Sequence, residues 1–137
     1  SDFMDNHLKQ AAHNESLLSH LEYQFPTQYN DWKVTLVFCA ALHLLRAYAV
    51  NTGVNVGGTH KELGIAMSNQ DASVPNLDVD MACANNYASL YSASRQARYD
   101  GFFDPVLFEA SNRRSLAFSK IKLQKIKDHL KDKGLPM

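Results

Sequence analysis

Alternation of apolar and polar residues, the mark of a half-buried strand, never lasts more than a few positions in this sequence. A sheet protein is excluded on that ground. Glycine and proline are scarce, 6 and 4 of 137 residues. No fixed-period repeat or low-complexity tract accompanies them, which excludes collagenous, solenoid and disordered chains. Only two cysteines occur, Cys39 and Cys83. Each falls inside an apolar helical pattern where a free thiol serves as a small buried hydrophobe, so the expectation is a reduced, cytoplasmic protein and not a disulfide scaffold. Charge of one sign is missing too: 14 Lys or Arg balance 14 Asp or Glu, and the whole molecule has no general attraction for polyanions. The longest apolar run, Val34 to Val50, is broken by Thr35, His43 and Arg46. It falls short of the roughly 20 residues that span a bilayer, and with no signal-peptide pattern at the start no membrane association is expected.

What is present is helical. The composition, 45% hydrophobic and 20% charged, in a chain of this length suits one domain over residues 1–137 with a real core. A first helix is expected from Asp2 or Met4 to Tyr23, ahead of Pro26, with Phe3, Ala11, Leu18, Leu21 and Phe25 as its apolar stripe. His7 and Asn14 fall on that stripe and need partners there. The second helix starts at Asn30 or Asp31 as N-cap and runs to about Asn51. Trp32, Leu36, Cys39, His43, Ala47 and Val50 line one face, and Val34, Phe38, Ala41, Leu45 and Tyr48 the opposite one. A helix apolar on both sides is a central helix.

After the glycine-rich loop NTGVNVGGT, Thr59 and Glu62 match a capping box, which sets His60 in the first turn of a short helix ending near Ser68. The loop NQDASVPNLD leads to a long helix from about Asp78 to Tyr99. Cys83, Tyr87, Tyr91, Ser94 and Arg98 share one of its faces, and small residues such as Ala84, Ala88 and Ala97 permit close packing. An Asp100-Gly101 turn follows, and Asp104-Pro105 reads as N-cap and first residue of the last helix. That helix has the stripe Leu116, Leu123, Ile126 and Leu130 and ends at Gly134 and Pro136. The fold expected is all-α, an up-and-down bundle of four long helices plus a short one.

Few motifs of known chemistry survive inspection. No Glu has a His three residues on, and no His-Glu-x-x-His occurs, so the carboxylate-bridged di-iron and metalloprotease patterns are absent. A zinc site drawn from His7, His43 and His60 is geometrically conceivable and has no local spacing signature. No nucleophile elbow is found, and GVNVGG lacks the Lys and hydroxyl residue of a phosphate loop. The charge is unevenly spread, because from Pro105 onward eight Lys or Arg face three acids. The lysines of the last helix suit either a nucleic-acid face or the wet side of an amphipathic helix. Arg95 and Arg98 both gain from the negative end of their helix. Arg95 reads as solvated, whereas Arg98 shares a face with Tyr87 and Tyr91 and should meet a carboxylate or an external phosphate.

The order Asn14, Trp32 leading into FCAALHLLRAYAV, THKELG, and YASLYSASRQARY resembles the small bacterial HEPN-like proteins over roughly residues 7–104. That resemblance implies a HEPN-like bundle, commonly a homodimer, in a superfamily associated with RNA cleavage, RNA or nucleotide binding, toxin–antitoxin pairs and phage defence. Nuclease members carry an Arg followed by four to six residues and then His. Here no His follows at that distance from Arg46, Arg95, Arg98, Arg113 or Arg114, so the usual ribonuclease activity is not expected. What the resemblance carries over is a polar cluster of Asn14, His43, His60, Arg98 and Tyr99, joined by Tyr87. The expectation is RNA or nucleotide-phosphate binding through Arg98, with His43 and His60 lining the site, no cofactor, and an antitoxin-type protein as a further partner. Two alternatives stay open: a non-catalytic homodimeric interaction module in which these residues form a structural network, and a histidine-based metal-dependent hydrolase.

Overall fold

The computed structural model describes residues 2–68, 73, 75–99 and 104–137, and of Tyr99 the backbone only. Five helices are found there and no strand: α1 Asp2–Gln24, α2 Asn30–Thr52, α3 His60–Ser68, α4 Met81–Tyr99 and α5 Pro105–Asp132. The chain is an all-α helical bundle. The expected Asp100-Gly101 turn, the stretch 69–72 and the Tyr99 side chain lie outside the described residues.

Helix α2 is the centre. It packs against α1, α4 and α5, while α3 leans on α4. The reason lies in its residues, since Val34, Val37, Ala40, Ala41, Leu45 and Ala47 are all fully buried and the alanines let neighbouring backbones come close. At 23 residues α2 is longer than the apolar run read from sequence, and by length and composition alone it could cross a bilayer; most of its apolar window is instead covered by the rest of the bundle. The two-faced assignment needs one correction. Trp32, in the first turn of α2, is 56% exposed and does not join the core. Phe3 is likewise exposed, and Met4 and Leu8 take the inner seats at the start of α1.

The start of α2 also differs from expectation. Tyr29 occupies the N-cap in the left-handed region, φ 58°, with no side-chain cap. Asn30 is instead buried and donates its side-chain amide to Glu109 Oε2 at 2.9 Å, tying α2 to α5. Next to it Lys33, also buried, donates its ammonium to the Phe25 carbonyl. Burial pulls the Lys33 ammonium down from its ordinary value, while Glu22 and Glu109 counteract.

Elsewhere local chemistry and structure agree. The Glu62 amide donates to Thr59 Oγ1 at 3.1 Å, and the Thr59 hydroxyl donates to the Glu62 carboxylate at 3.0 Å. Gly57 is obligatory in that corner: its φ is +75°, and a Cβ there would stand 1.8 Å from Glu62 Oε2. Helix α4 begins three residues later than expected, because Asp80 accepts from the Cys83 amide at 2.7 Å and so serves as its cap. Asp104 caps α5 through the Val106 and Leu107 amides, with Pro105 as the first helical residue. Leu116, Leu123, Ile126 and Leu130 are buried as the periodicity requires. Two lysines of α5 and the one that follows it meet acids elsewhere: Lys120 meets Glu22 at 2.8 Å, Lys127 meets Glu15 at 2.5 Å, and Lys133 meets Asp78 at 2.9 Å.

Candidate functional site

Two helical stripes face each other across one hollow. On α2, Phe38, Leu42 and Arg46 follow at four-residue steps, and on α4 Tyr91, Arg95 and Arg98 follow at four and three, so each set projects to one side of its helix. The end of the α2–α3 connection closes the hollow with Gly58, Thr59 and His60. The space is about 770 Å³ and opens to solvent. Three arginines line it, and no carboxylate is among its described lining residues.

The side chains are held by one another. His60 stacks on Tyr91 with ring centroids 4.0 Å apart and planes 28° from parallel. The Arg95 guanidinium lies 5.9 Å from the same Tyr91 ring, within cation–π range. Arg46 Nη2 donates to the Gly58 carbonyl at 2.8 Å, which orients the guanidinium toward the loop. Among the described residues, Arg46 Nε and the Tyr87 hydroxyl are buried donors with no hydrogen-bond partner. Tyr87 is only 3% exposed. Burial pushes its phenol well above the ordinary range, with the Arg46 charge opposing. The Cys39 thiol is pushed up by burial in the same way, with Arg98 opposing. Arg46 and Arg98 thus extend their field into the α2–α4 contact.

A second hollow of about 510 Å³ adjoins the first, between α3 and α4. His60 and Tyr91 belong to both, so the stacked pair is the wall between them. Gly64, Met67, Ala84, Ala88 and Tyr87 make its surface largely apolar, with Lys61, Ser68 and Asn85 as the polar members.

Of the residues singled out from sequence, His60 and Arg98 line the arginine hollow, and Tyr87 borders the second one. Asn14 and His43 do not join them. Asn14 is buried in α1 and accepts from Gln10 Nε2 at 3.3 Å, within its own helix. His43 turns toward α1, where its Nδ1 is 3.0 Å from Nδ1 of His7. For one ring to donate to the other at least one must be neutral, and both imidazoles are shifted below their ordinary value. Burial is the main cause for each; Arg46 adds to it for His7, and His7 and then Arg46 add to it for His43. The three-histidine zinc site is therefore not assembled, since His7 and His43 meet while His60 lies on Tyr91. Among the described residues no group of three or more His, Cys, Asp or Glu is placed to hold a metal ion.

Arg46 and Arg95 were not foreseen as lining residues. Arg46 read only as a break in an apolar run, yet a guanidinium inside such a helix needs a partner or a solvent-filled hollow. That was the available signal. Arg95 read as solvated; it is exposed, and its exposure is toward the hollow. No family model, curated protein or solved structure matches the chain.

Proposed function

We propose that this protein binds the phosphate of RNA or of a nucleotide in the arginine hollow. The observation that carries this is the convergence of Arg46, Arg95 and Arg98 on one open space with no carboxylate among its described lining residues. Cations so arranged favour an anion, and guanidinium groups suit phosphate because their donors match its oxygens in pairs. Arg46 Nε adds a buried donor with no hydrogen-bond partner among the described residues. Such a group costs about 1–3 kcal/mol when left unsatisfied, a cost that a bound anion and its water would offset. The His60–Tyr91 stack beside the cations supports a nucleotide over a bare inorganic anion, because bases pack on aromatic faces.

In the larger frame the protein is a HEPN-like up-and-down bundle, cytoplasmic and homodimeric, acting in a toxin–antitoxin or phage-defence setting as a binder and not as a standard HEPN ribonuclease. That His60 and Arg98, two of the residues behind that resemblance, line the same hollow supports it. A single structural network of Asn14, His43 and Arg98 has less support, since Asn14 bonds to Gln10 and His43 to His7.

The test is fluorescence anisotropy with a labelled single-stranded RNA and calorimetry with a nucleoside 5′-phosphate, on the wild type, Arg46→Ala and Arg98→Ala. Both variants should keep their melting temperature within a few degrees and lose binding. Wild-type affinity in a folded Arg98→Ala protein would remove the site.

A further inference from the structure

We infer that the second hollow, between α3 and α4, is the seat of the nucleobase, so that the ligand is a nucleoside 5′-phosphate unit lying across the His60–Tyr91 stack. This rests on the phosphate reading of the arginine hollow and goes beyond it by giving the ligand a ring and a direction. The two spaces share His60 and Tyr91 and differ in chemistry. One has three arginines. The other has Gly64, Met67, Ala84 and Ala88 as its apolar surface, with Lys61 and Asn85 offering donors and an acceptor to the edge of a ring.

The absence of bulk there is specific. Gly64 is a mid-helix glycine with no positive φ, and a Cβ at that position would meet nothing within 4 Å. Glycine weakens a helix interior by roughly 1 kcal/mol relative to alanine, and nothing in the backbone of α3 requires it. What it leaves is space on the face of α3 that looks across at Ala84 and Ala88 of α4. Small residues on both helices and an aromatic stack at one side leave a slot that suits a flat ring. At about 510 Å³ it is within the range of small-molecule sites, and with the arginine hollow it gives a nucleotide room for both of its ends.

The slot and the cation site are separable by experiment. Titration calorimetry would compare ribose 5-phosphate with adenosine, guanosine, cytidine and uridine 5′-phosphates on the wild type, Gly64→Leu and Ala88→Leu. At least one nucleotide should bind the wild type about tenfold more tightly than ribose 5-phosphate, the increment that one stacked base supplies. Leucine at position 64 or 88 fills the slot and should bring that nucleotide down to the ribose 5-phosphate level. Gly64→Leu raises helix propensity and should melt no lower than the wild type; Ala88→Leu serves as the independent second filling. Equal affinity for ribose 5-phosphate and all four nucleotides, or a nucleotide advantage that survives both substitutions, overturns the base seat and leaves the phosphate reading intact. Failure of ribose 5-phosphate and of every nucleotide to bind overturns both. Repeating the series with a 5′-phosphorylated trinucleotide distinguishes a free nucleotide from an RNA end, the tighter of the two being the source.

Discussion

The molecule has two basic regions, and they are built differently. On α5 two lysines, Lys120 and Lys127, pair with Glu22 and Glu15 of α1, and Lys133 just after the helix pairs with Asp78. Around the hollow between α2 and α4 the charges are arginines that converge on open space. The larger local excess of positive charge is on α5, and part of it is engaged in ion pairs between elements. The proposed site lies instead where fewer cations share one hollow, which a cationic count along the chain does not point to.

Substitution in the two regions should give opposite results, and the largest effect belongs to the hollow. Arg46→Ala or Arg98→Ala should lower affinity for a nucleoside 5′-phosphate by about a hundredfold, the size of a lost charge-assisted contact. Lys120→Ala with Lys127→Ala should leave that affinity unchanged at moderate salt, as calorimetry on the same ligand would show. A lysine effect equal to the arginine effect would erase the contrast.

Next in size is the frame of the hollow. Gly57→Ala forces a side chain into a positive-φ position against Glu62 and should destabilise the protein by about 1–3 kcal/mol in urea unfolding. It should weaken binding as well, because the capping box it disturbs positions Gly58, Thr59 and His60.

Acid should then separate the α1–α2 contact from the rest. His7 and His43 are both held below the ordinary imidazole value of 6.5. In the unfolded chain they take up protons first, so the native state binds fewer protons than the unfolded one as pH falls. Their contribution to stability is present above pH about 6.5 and is lost progressively below it, toward the lower native values. The melting temperature should drop from pH 7 to pH 5, and His7→Gln with His43→Gln should flatten that slope. Arg46→Ala should flatten it partly, since removing the neighbouring cation raises both imidazoles toward normal. A slope identical in all three proteins would place the acid sensitivity elsewhere.

The smallest effect expected is that of the α5 ion pairs on stability. Lys120 and Glu22 are partly exposed, with side chains 46% and 34% accessible, and each pair should contribute less than about 1 kcal/mol. Thermal unfolding of the Lys120→Ala, Lys127→Ala double variant measures it, and it should shrink further in high salt.

Much of the helix architecture was legible in local chemistry. Thr59 with Glu62, Asp104 with Pro105, and the Leu116–Leu130 stripe each act over a few residues, so the chain states them directly. Asn30 departs from the expected N-cap role because its partner, Glu109, is far away in sequence. Trp32 and Phe3 lie outside the core; periodicity says which residues share a side, not how far the neighbouring helix extends. The site was half legible for the same reason. Arg98 was placed by its face, His60 by its cap, while His43 went to His7 and Arg46 arrived from a stretch that looked like core.

By itself the sequence determined that the chain is helical, where most helices start, and which residues must be turned inward, because caps and 3.6-residue periodicity are local forces. Only the tertiary structure decided which inward polar residues meet. The pairing of His7 with His43, the stack of His60 on Tyr91 and the convergence of three arginines depend on how α1 and α4 settle against α2 and how α3 settles against α4. That settlement is a sum of many weak contacts between segments distant along the chain, and no short stretch of residues contains it.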